Sequence, residues 1–214
     1  MPRIAAAERR ALLLDAAWRV LLDHGVAGAT TRAICAEAGM PQGSFHYCFD
    51  SRNELLTELA ADLLPRELSA AAAAVVRGGS LVDTVHRALL AYWELVESEP
   101  QVHQVVYEIT AMSLREPALA DPAKVRYAAY PLAVTGVLEE IAAVRGIAWD
   151  RPVDVLARQV VALLDGLTLQ FLIDADAEGA RAALRACAED IARHRRRVRY
   201  AAARATVRDG SVAP

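Results

Sequence analysis

Residues 31–49, TRAICAEAGMPQGSFHYCF, have the spacing of two short helices that cross near a right angle. Such a crossing needs a small residue at the contact, such as Cys35 or Ala36, and a glycine in the tight turn, here Gly39. Apolar residues that can point back toward a preceding helix recur along both arms: Ile34, Ala38, Met40, Phe45 and Phe49. The pattern predicts a helix-turn-helix that places its second helix in the DNA major groove. An ordinary helical hairpin has the same spacing, so the motif alone leaves both readings open.

The segment before this motif predicts two helices with recognisable ends. Residues 5–24 have an apolar face of helical period, and Gly25 follows as a residue that adopts left-handed backbone at little cost. Thr30 or Thr31 can cap the next helix, expected at about 32–38, because threonine side chains accept hydrogen bonds from free N–H groups.

The segments after the motif predict more helix. Pro41 suits the first position of a helix, where its missing N–H costs nothing. Ser51 and Glu54 have the spacing of a capping box, which predicts one long helix toward residue 76. Four or five longer helical stretches then follow: 81–97, 101–114, 120–145, 152–174 and 177–203. Pro131 lies inside one of them and predicts a kink. No strand-like alternation stands out, so the sequence predicts an all-α chain of about nine helices.

Charge is distributed unevenly along the chain, whose net charge is −3. Residues 53–180 carry nine basic against nineteen acidic side chains, whereas residues 181–214 carry nine arginines against three acids. A protein with this distribution does not bind polyanions over its whole surface. Any contact with DNA must therefore be local and confined to the ends of the chain.

Composition also narrows the compartment and the chemistry. The three cysteines, Cys35, Cys48 and Cys187, form no C-x-x-C pair, so neither a disulfide framework nor a zinc knuckle is predicted. No uninterrupted apolar run is long enough for a membrane span, and charged residues interrupt the N-terminus where a signal peptide would be apolar. We therefore expect a cytoplasmic protein without membrane contact. No phosphate- or dinucleotide-binding glycine pattern is present, so no cofactor is predicted.

The run TTRAICAEAGMPQGSFHYCFDSRNELL, residues 30–56, resembles the second, third and fourth helices of the TetR family of bacterial regulators. The resemblance covers about a quarter of the chain. It implies a three-helix DNA-binding domain at residues 1–52 and a helical ligand-binding and dimerisation domain at 53–205, with 206–214 as a frayed tail. It also implies a homodimer on operator DNA, with two recognition helices in successive major grooves, about 34–36 Å apart.

The resemblance implies roles for individual side chains on the DNA side. Four are expected at base edges: Arg32, Gln42, Ser44 and His46. Three match positions that hold phosphates in the family: Thr31, Tyr47 and Arg52. Lysine is common in the family where Gln42 stands, so one phosphate charge is missing, which puts the operator sequence in doubt but not the mode of binding. A metal site formed by His46 and Cys48 is the weaker interpretation, because residues two apart on a helix point to different faces.

The second half of the chain carries weaker signals. Aromatic and polar residues among aliphatic ones suit a cavity for a small, largely hydrophobic effector, although the same residues also suit an ordinary core. The candidate ligand contacts are Trp93, Tyr107, Thr110, Tyr130 and Thr168. A metal site formed by His86 and His103 is not predicted, because their spacing does not place them together. The same holds for an acid–base pair of His103 and Glu108. Both histidines are expected either at the surface or with satisfied hydrogen bonds.

The last two helices carry apolar stripes that two chains can pack into a four-helix bundle. The candidate dimer contacts are Val160, Leu163, Leu167, Leu184 and Ile191. The basic run 194–199 is expected to be a solvated helix end, since cations stabilise a helix C-terminus. Contact with DNA or an acidic partner is the alternative reading of this run.

These features together predict a ligand-responsive DNA-binding regulator, with repression implied by the family resemblance. The effector is expected to tilt the helix that starts at Ser51 and so to change the separation of the two recognition helices. A ligand-dependent activator and a helical scaffold for protein partners are the alternatives. No nucleophile–base–acid set is visible, so an enzyme is not predicted.

Overall fold

A computed structural model describes residues 5–75 and 78–197. These residues form nine α-helices, one 3-10 helix and two short strands. The first four α-helices are α1 (Ala6–Gly28), α2 (Thr31–Glu37), α3 (Arg52–Ala61) and α4 (Leu63–Ala73). The others are α5 (Leu81–Ser98), α6 (Pro100–Ser113), α7 (Pro117–Arg145), α8 (Val153–Asp174) and α9 (Ala177–Arg193). The recognition helix, as we call the 3-10 helix, is Gln42–Tyr47, and the strands are β1 (Ile147–Trp149) and β2 (Arg195–Arg197). The predicted all-α class is confirmed.

Helix ends in the first fifty residues follow local chemistry. Gly25 leaves helical geometry at φ +64°, which kinks α1 where the sequence predicted its end. The Thr30 side chain accepts a hydrogen bond from the Ala33 N–H at 3.1 Å and so caps α2. Gly39, also at φ +64°, makes the turn that follows α2. The Ser51 hydroxyl accepts from the Glu54 N–H at 3.1 Å, which caps α3.

The long helix predicted from Ser51 toward residue 76 is two helices in the structure. The chain breaks at Asp62, between α3 and α4. Pro65 explains the break, because it has no N–H to bond to the carbonyl of Ala61 and its ring crowds that carbonyl. Residues 76–77 are outside the described ranges, and so is the end of the predicted helix.

The predicted final helix, 177–203, ends early at Arg193. The His194 carbonyl accepts a hydrogen bond from the Asp150 N–H at 2.9 Å, and β2 then pairs antiparallel with β1. The basic run is therefore a strand rather than a helix end as far as Arg197, and its last two residues, 198–199, lie outside the described residues. The predicted tail at 206–214 also lies outside them.

Two apolar cores fill the chain. The first joins α1, α2, the recognition helix and α3, and it includes the fully buried Phe45 and Leu55. The second joins α5, α7, α8 and α9, and it includes the fully buried Trp93 and Leu184. Helix α6 adds Val105 and Ile109 to the first core and also faces the space between the helices of the second half. It therefore touches both halves of the chain.

Candidate nucleic-acid interface and buried cavity

The recognition helix is anchored by aromatic residues and exposes a polar face. Phe45 and Phe49 are buried, with ring centroids 5.4 Å apart. Gln42 and His46 point their side chains into solvent, and Tyr47 is 84% exposed. An exposed tyrosine offers another molecule both an apolar ring and a polar hydroxyl. The face is therefore suited to contact with another molecule.

The remaining predicted base and phosphate contacts lie around this face. Arg32 is exposed near the start of α2, and Thr31 is half-buried at the same helix end. Ser44 is half-buried within the recognition helix, where its N–H donates to the Pro41 carbonyl at 2.8 Å. Whether these side chains touch bases or phosphates stays a prediction.

Arg52 is engaged inside the protein. Its Nε donates to the Ala29 carbonyl at 2.6 Å, and its Nη2 donates to the Val26 carbonyl. Both carbonyls lie where α1 ends, so the guanidinium joins the start of α3 to that end. These bonds give Arg52 a role in positioning the motif, and whether its remaining donors contact a phosphate stays a prediction.

Arg10 contacts the residues that directly follow the recognition helix, a role that the sequence did not predict. Its guanidinium donates to the Cys48 carbonyl and to the carboxylates of Glu54 and Glu58, and it stacks over the Phe49 ring at 4.1 Å. The bonds to Glu58 are the main reason that the pKa of Arg10 is raised above its usual value. The i, i+4 spacing of Glu54 and Glu58 was the available signal, because it presents two carboxylates on one face of α3.

The structure does not bring the suggested metal ligands together. His46 is exposed on the recognition helix, whereas Cys48 is half-buried against the first core. His103 is buried in a cavity wall, so of the two expected alternatives, a surface or a satisfied histidine, the surface position is wrong. Within the described ranges, no three His, Cys, Asp or Glu side chains group as metal ligands would.

A cavity lies between the helices of the second half. Its cavity volume is about 100 Å³, within a wider space of about 1000 Å³ that includes open solvent. Helices α4 to α8 form its wall, and most of the lining is aliphatic. Its polar and aromatic members are Glu67, Tyr92, His103, Tyr107, Thr110, Arg126, Tyr127, Tyr130 and Asp165. A mostly apolar cavity with a few polar groups is typical of small-molecule sites.

Two of the tyrosines and the arginine of this wall are held by hydrogen bonds. The Tyr107 hydroxyl donates to the Asp165 carbonyl at 2.8 Å, and the Tyr92 hydroxyl lies 3.2 Å from the Thr168 hydroxyl. Arg126 donates to the Thr110 hydroxyl, and its guanidinium lies 5.3 Å from the centre of the Tyr127 ring. Much of the polar wall is thus fixed in place before any ligand enters.

Glu67 and His103 are the exceptions. Their side chains are each 5% exposed, and Glu67 Oε1 lies 3.9 Å from His103 Nδ1, too far for a hydrogen bond. Burial raises the pKa of Glu67 to about 7 and lowers the pKa of His103 to about 4. The histidine is therefore neutral near pH 7, and the contact is not an ion pair. Among the described residues, Glu67 Oε2 has no hydrogen-bond partner.

Three of the five predicted ligand contacts line the cavity: Tyr107, Thr110 and Tyr130. Trp93 does not, because it is fully buried in the second core, with its ring centroid 5.3 Å from that of Phe171. Thr168 is also fully buried and stands behind Tyr92, to which it bonds. Trp93 and Thr168 therefore leave the set of candidate contacts.

Glu67 was missed because it follows Arg66 in a segment that looks like a charged, solvated surface. A signal was present, since Glu67 is four residues after Leu63 and four before Ala71. Residues at that spacing share a helix face, and all three line the cavity.

The predicted dimer contacts divide between two faces. Val160, Leu184 and Ile191 are at most 3% exposed within one protomer, so they pack its own core and cannot meet a partner. Leu163 and Leu167 are half-buried, and Leu167 packs against the second core. Six exposed positions of α8 instead form one stripe at intervals of three and four residues: Val155, Gln159, Ala162, Gly166, Leu169 and Ile173. This stripe has the period of a helix–helix interface.

Two family models match the chain. The first, described as bacterial regulatory proteins of the tetR family, matches residues 13–59. The second, described as the C-terminal domain of BetI-type transcriptional repressors, matches residues 81–196. The two matches divide the chain near the same point as the two cores.

Curated relatives and solved structures extend these matches. HdnoR, a nicotine-responsive transcriptional repressor from Paenarthrobacter nicotinovorans, is 30% identical over 173 residues, which cover 80% of this chain and 88% of the relative. A solved multidrug binding protein, EbrR complexed with imidazole, is 29% identical with a TM-score of 0.61, covering 84% of this chain and 94% of that one. A transcriptional regulator from Pseudomonas aeruginosa PAO1 shares the fold, with a TM-score of 0.70 at 24% identity over 89% of this chain and 93% of that one.

Proposed function

Because the chain belongs to the TetR family of bacterial transcription regulators, we propose that it is a dimeric repressor released from operator DNA by a small organic effector. The single observation that carries the DNA-binding part is the recognition helix, which buries Phe45 and Phe49 and leaves Gln42, His46 and Tyr47 in solvent. Buried aromatic residues fix the angle of the helix, and the polar face is free to enter a major groove.

The roles of the DNA-side residues follow from their positions. We assign base contacts to Arg32, Gln42, Ser44 and His46, with the Arg32 guanidinium suited to a two-pronged bond with guanine. Thr31 and Tyr47 are assigned to phosphates. We reassign Arg52 to positioning, because two backbone carbonyls already accept its donors.

The cavity supports the effector-binding part of the proposal. Its aliphatic and tyrosine lining suits a small, largely hydrophobic molecule, as expected from the sequence. Relatives named for responding to nicotine and for binding multiple drugs take organic small molecules, which supports the same class here. We assign Tyr107, Thr110 and Tyr130 to the ligand and add Glu67, Tyr92 and Arg126.

Two helices of the cavity wall connect the effector to the DNA-binding half. Helix α4 follows α3 of that half after the break at Asp62, so the long lever expected from Ser51 has a joint in it. Helix α6 presents Tyr107 to the cavity and Ile109 to the first core. An effector alters DNA affinity only if it binds the two arrangements of these helices unequally.

The exposed stripe of α8 supports a homodimer. By length and composition α8 is the one described helix able to cross a membrane. This is weak evidence for a membrane span, because core helices of soluble proteins pass the same test. Its exposed apolar residues lie along a single stripe, and Asp165 on another face lines the cavity. A partner helix accounts for that arrangement, and we propose a cytoplasmic dimer as is usual for this family.

A gel-shift titration with the DNA upstream of its own gene tests the proposal. We expect salt-dependent binding that is weakened about fivefold or more by Arg32→Ala, since one good base contact is worth about 1–3 kcal/mol, and that is also weakened by Tyr47→Ala. Lys124→Ala is the matched control, because it removes an exposed charge from α7 whose ion pair is with neighbouring Asp121. Tight binding that neither interface variant weakens would overturn the assignment.

A further inference from the structure

We propose that the cavity binds a monovalent organic cation, an amine or quaternary ammonium with an apolar body, and that the Glu67 carboxylate is its counter-ion. The inference rests on the proposed function and names the chemical class of its effector. It begins from Glu67, whose side chain is 5% exposed and whose Oε2 has no hydrogen-bond partner among the described residues. A buried carboxylate without a partner is costly, and a ligand that supplies a positive charge removes the cost.

The charges of the wall favour a cation over an anion. Glu67 from α4 and Asp165 from α8 are acidic, whereas Arg126 from α7 is the one basic side chain in the lining. His103 stays neutral near pH 7, because burial lowers its pKa to about 4. When both carboxylates are ionised, these three side chains carry one net negative charge, which a single cation neutralises.

Arg126 is the feature that an anionic ligand would need, and it is already engaged. It donates a hydrogen bond to the Thr110 hydroxyl, lies over the Tyr127 ring and is attracted by both carboxylates. An anion entering the cavity would have to compete with those partners and approach two acidic groups. The arrangement therefore repels anions.

Four tyrosines complete the site: Tyr92, Tyr107, Tyr127 and Tyr130. The hydroxyls of Tyr92 and Tyr107 are bonded to groups of α8, so these residues offer the cavity mainly their rings. Aromatic rings attract cations through their negative faces, most strongly where water is excluded. The aliphatic remainder of the wall suits the apolar body of an amine rather than a free ammonium ion.

Calorimetric titration of the full-length protein tests the inference with matched probes. The cations are benzyltrimethylammonium, 1-benzylpyrrolidine and nicotine. The uncharged isostere is 2,2-dimethylpropylbenzene, and the anion is phenylmethanesulfonate. At pH 8 we expect at least one cation to bind about tenfold or more tightly than the isostere, as one buried charge-assisted contact allows, and the anion to bind least.

Two further arms identify Glu67 as the counter-ion. Glu67→Gln keeps the shape and removes the charge, so it should abolish the preference for the cation. Glu140→Gln, which removes an exposed carboxylate of α7 outside the cavity, should keep it.

Benzyltrimethylammonium has a fixed charge, so its binding to the wild-type protein should weaken from pH 8 to pH 6 as Glu67 takes up a proton. His103 and the tyrosines do not titrate in that range, because burial moves their pKa values away from it. Burial raises the pKa of Asp165 as well, so the same titration of Glu67→Gln measures the part of the pH dependence that belongs to Asp165.

The outcomes separate this inference from the proposed function. Tighter binding of the anion or the isostere, binding of none of the three cations, or an unchanged preference in Glu67→Gln would overturn the cation site. The gel shift without any ligand tests DNA binding independently, since Glu67 lines the cavity and is not part of the first core. A cation that binds through Glu67 but leaves operator affinity unchanged would uphold the site and overturn its role as the effector site.

Discussion

The Glu108 carboxylate accepts a hydrogen bond from the Val26 N–H at 2.8 Å, and this contact joins α6 to the kink of α1. Gly25 suits this place because its backbone has φ +64°, and a Cβ there would lie 3.1 Å from Glu108 Oε2, which would have to shift slightly. The next residue along α6 toward the N-terminus, Tyr107, lines the cavity. One turn of helix thus touches both the candidate ligand site and the DNA-binding half.

Replacing Glu108 tests this connection. Glu108→Ala leaves the Val26 N–H without its partner, and we expect the free energy of unfolding to fall by about 1–3 kcal/mol in urea titrations. Glu108→Gln keeps a carbonyl acceptor and should lose less. If both variants unfold at the wild-type urea concentration, the hydrogen bond contributes nothing to joining the two halves.

Arg52 gives a second prediction, in which stability and DNA binding separate. Arg52→Met removes both hydrogen bonds to the end of α1, so the free energy of unfolding should fall by roughly 2–3 kcal/mol. Because two of its donors bond to backbone carbonyls at the end of α1, we expect no phosphate contact from Arg52, and the salt dependence of DNA binding should keep the wild-type slope. Gel shifts at several salt concentrations measure it. A phosphate contact would show itself as a slope smaller by about 0.9.

Much of the DNA-binding half follows from sequence because its signals are local. Thr30 and Ser51 cap helices through residues three positions away, and Gly39 makes a left-handed turn at its own position. Each lies where the sequence pattern predicts it. Arg52 differs because its partners lie 23 and 26 residues earlier in the chain. A charged residue beside a helix start looks free for phosphate until the fold shows which carbonyls reach it.

The cavity was only partly predictable because its helices are apolar on more than one face. Tyr92 lines the cavity and Trp93 packs the core, although the two are neighbours, since adjacent residues point about 100° apart on a helix. Periodicity locates such faces but does not say which one meets a void. The same ambiguity misplaced Val160 and Leu184, which are apolar enough for an interface but face inward.

The strand pair shows a further limit of local reasoning. Arg195–Arg197 pairs with Ile147–Trp149, about fifty residues away, and neither segment has strand-like alternation. The pairing depends on α9 ending at His194, whose imidazole lies 3.2 Å from Asp150. Nothing near the arginines in sequence indicates that partner.

The buried carboxyl of Glu67 predicts an unusual pH dependence of stability. Its pKa is raised from 4.5 to about 7, so the folded protein holds the proton more tightly than the unfolded chain. The stabilisation is present below pH 4.5 and is lost as the pH rises through 7. Relative to Glu67→Gln, the wild-type protein should lose roughly 2–3 kcal/mol between pH 5 and pH 8.

Urea unfolding of both proteins across that range measures the difference. His103 has a lowered pKa and acts in the opposite direction, with stability lost as the pH falls toward 4, but it is present in both proteins and cancels. A wild-type-to-variant difference that does not change with pH would mean that Glu67 titrates as an ordinary surface carboxyl.

The α8 stripe predicts where a dimer can be broken. Leu169 is 48% exposed in one protomer and lies one turn from Gly166, whose lack of a side chain allows two helices to approach closely. Leu169→Asp places a charge in that contact, where burial without a partner costs several kcal/mol. We expect sedimentation velocity to show a monomer and gel shifts to show weaker operator binding, because two linked recognition helices bind together. Leu132→Asp is the matched control, since Leu132 is 73% exposed and belongs to α7 rather than to the α8 stripe. A dimer that survives Leu169→Asp but dissociates with Leu132→Asp would move the interface from α8 to α7.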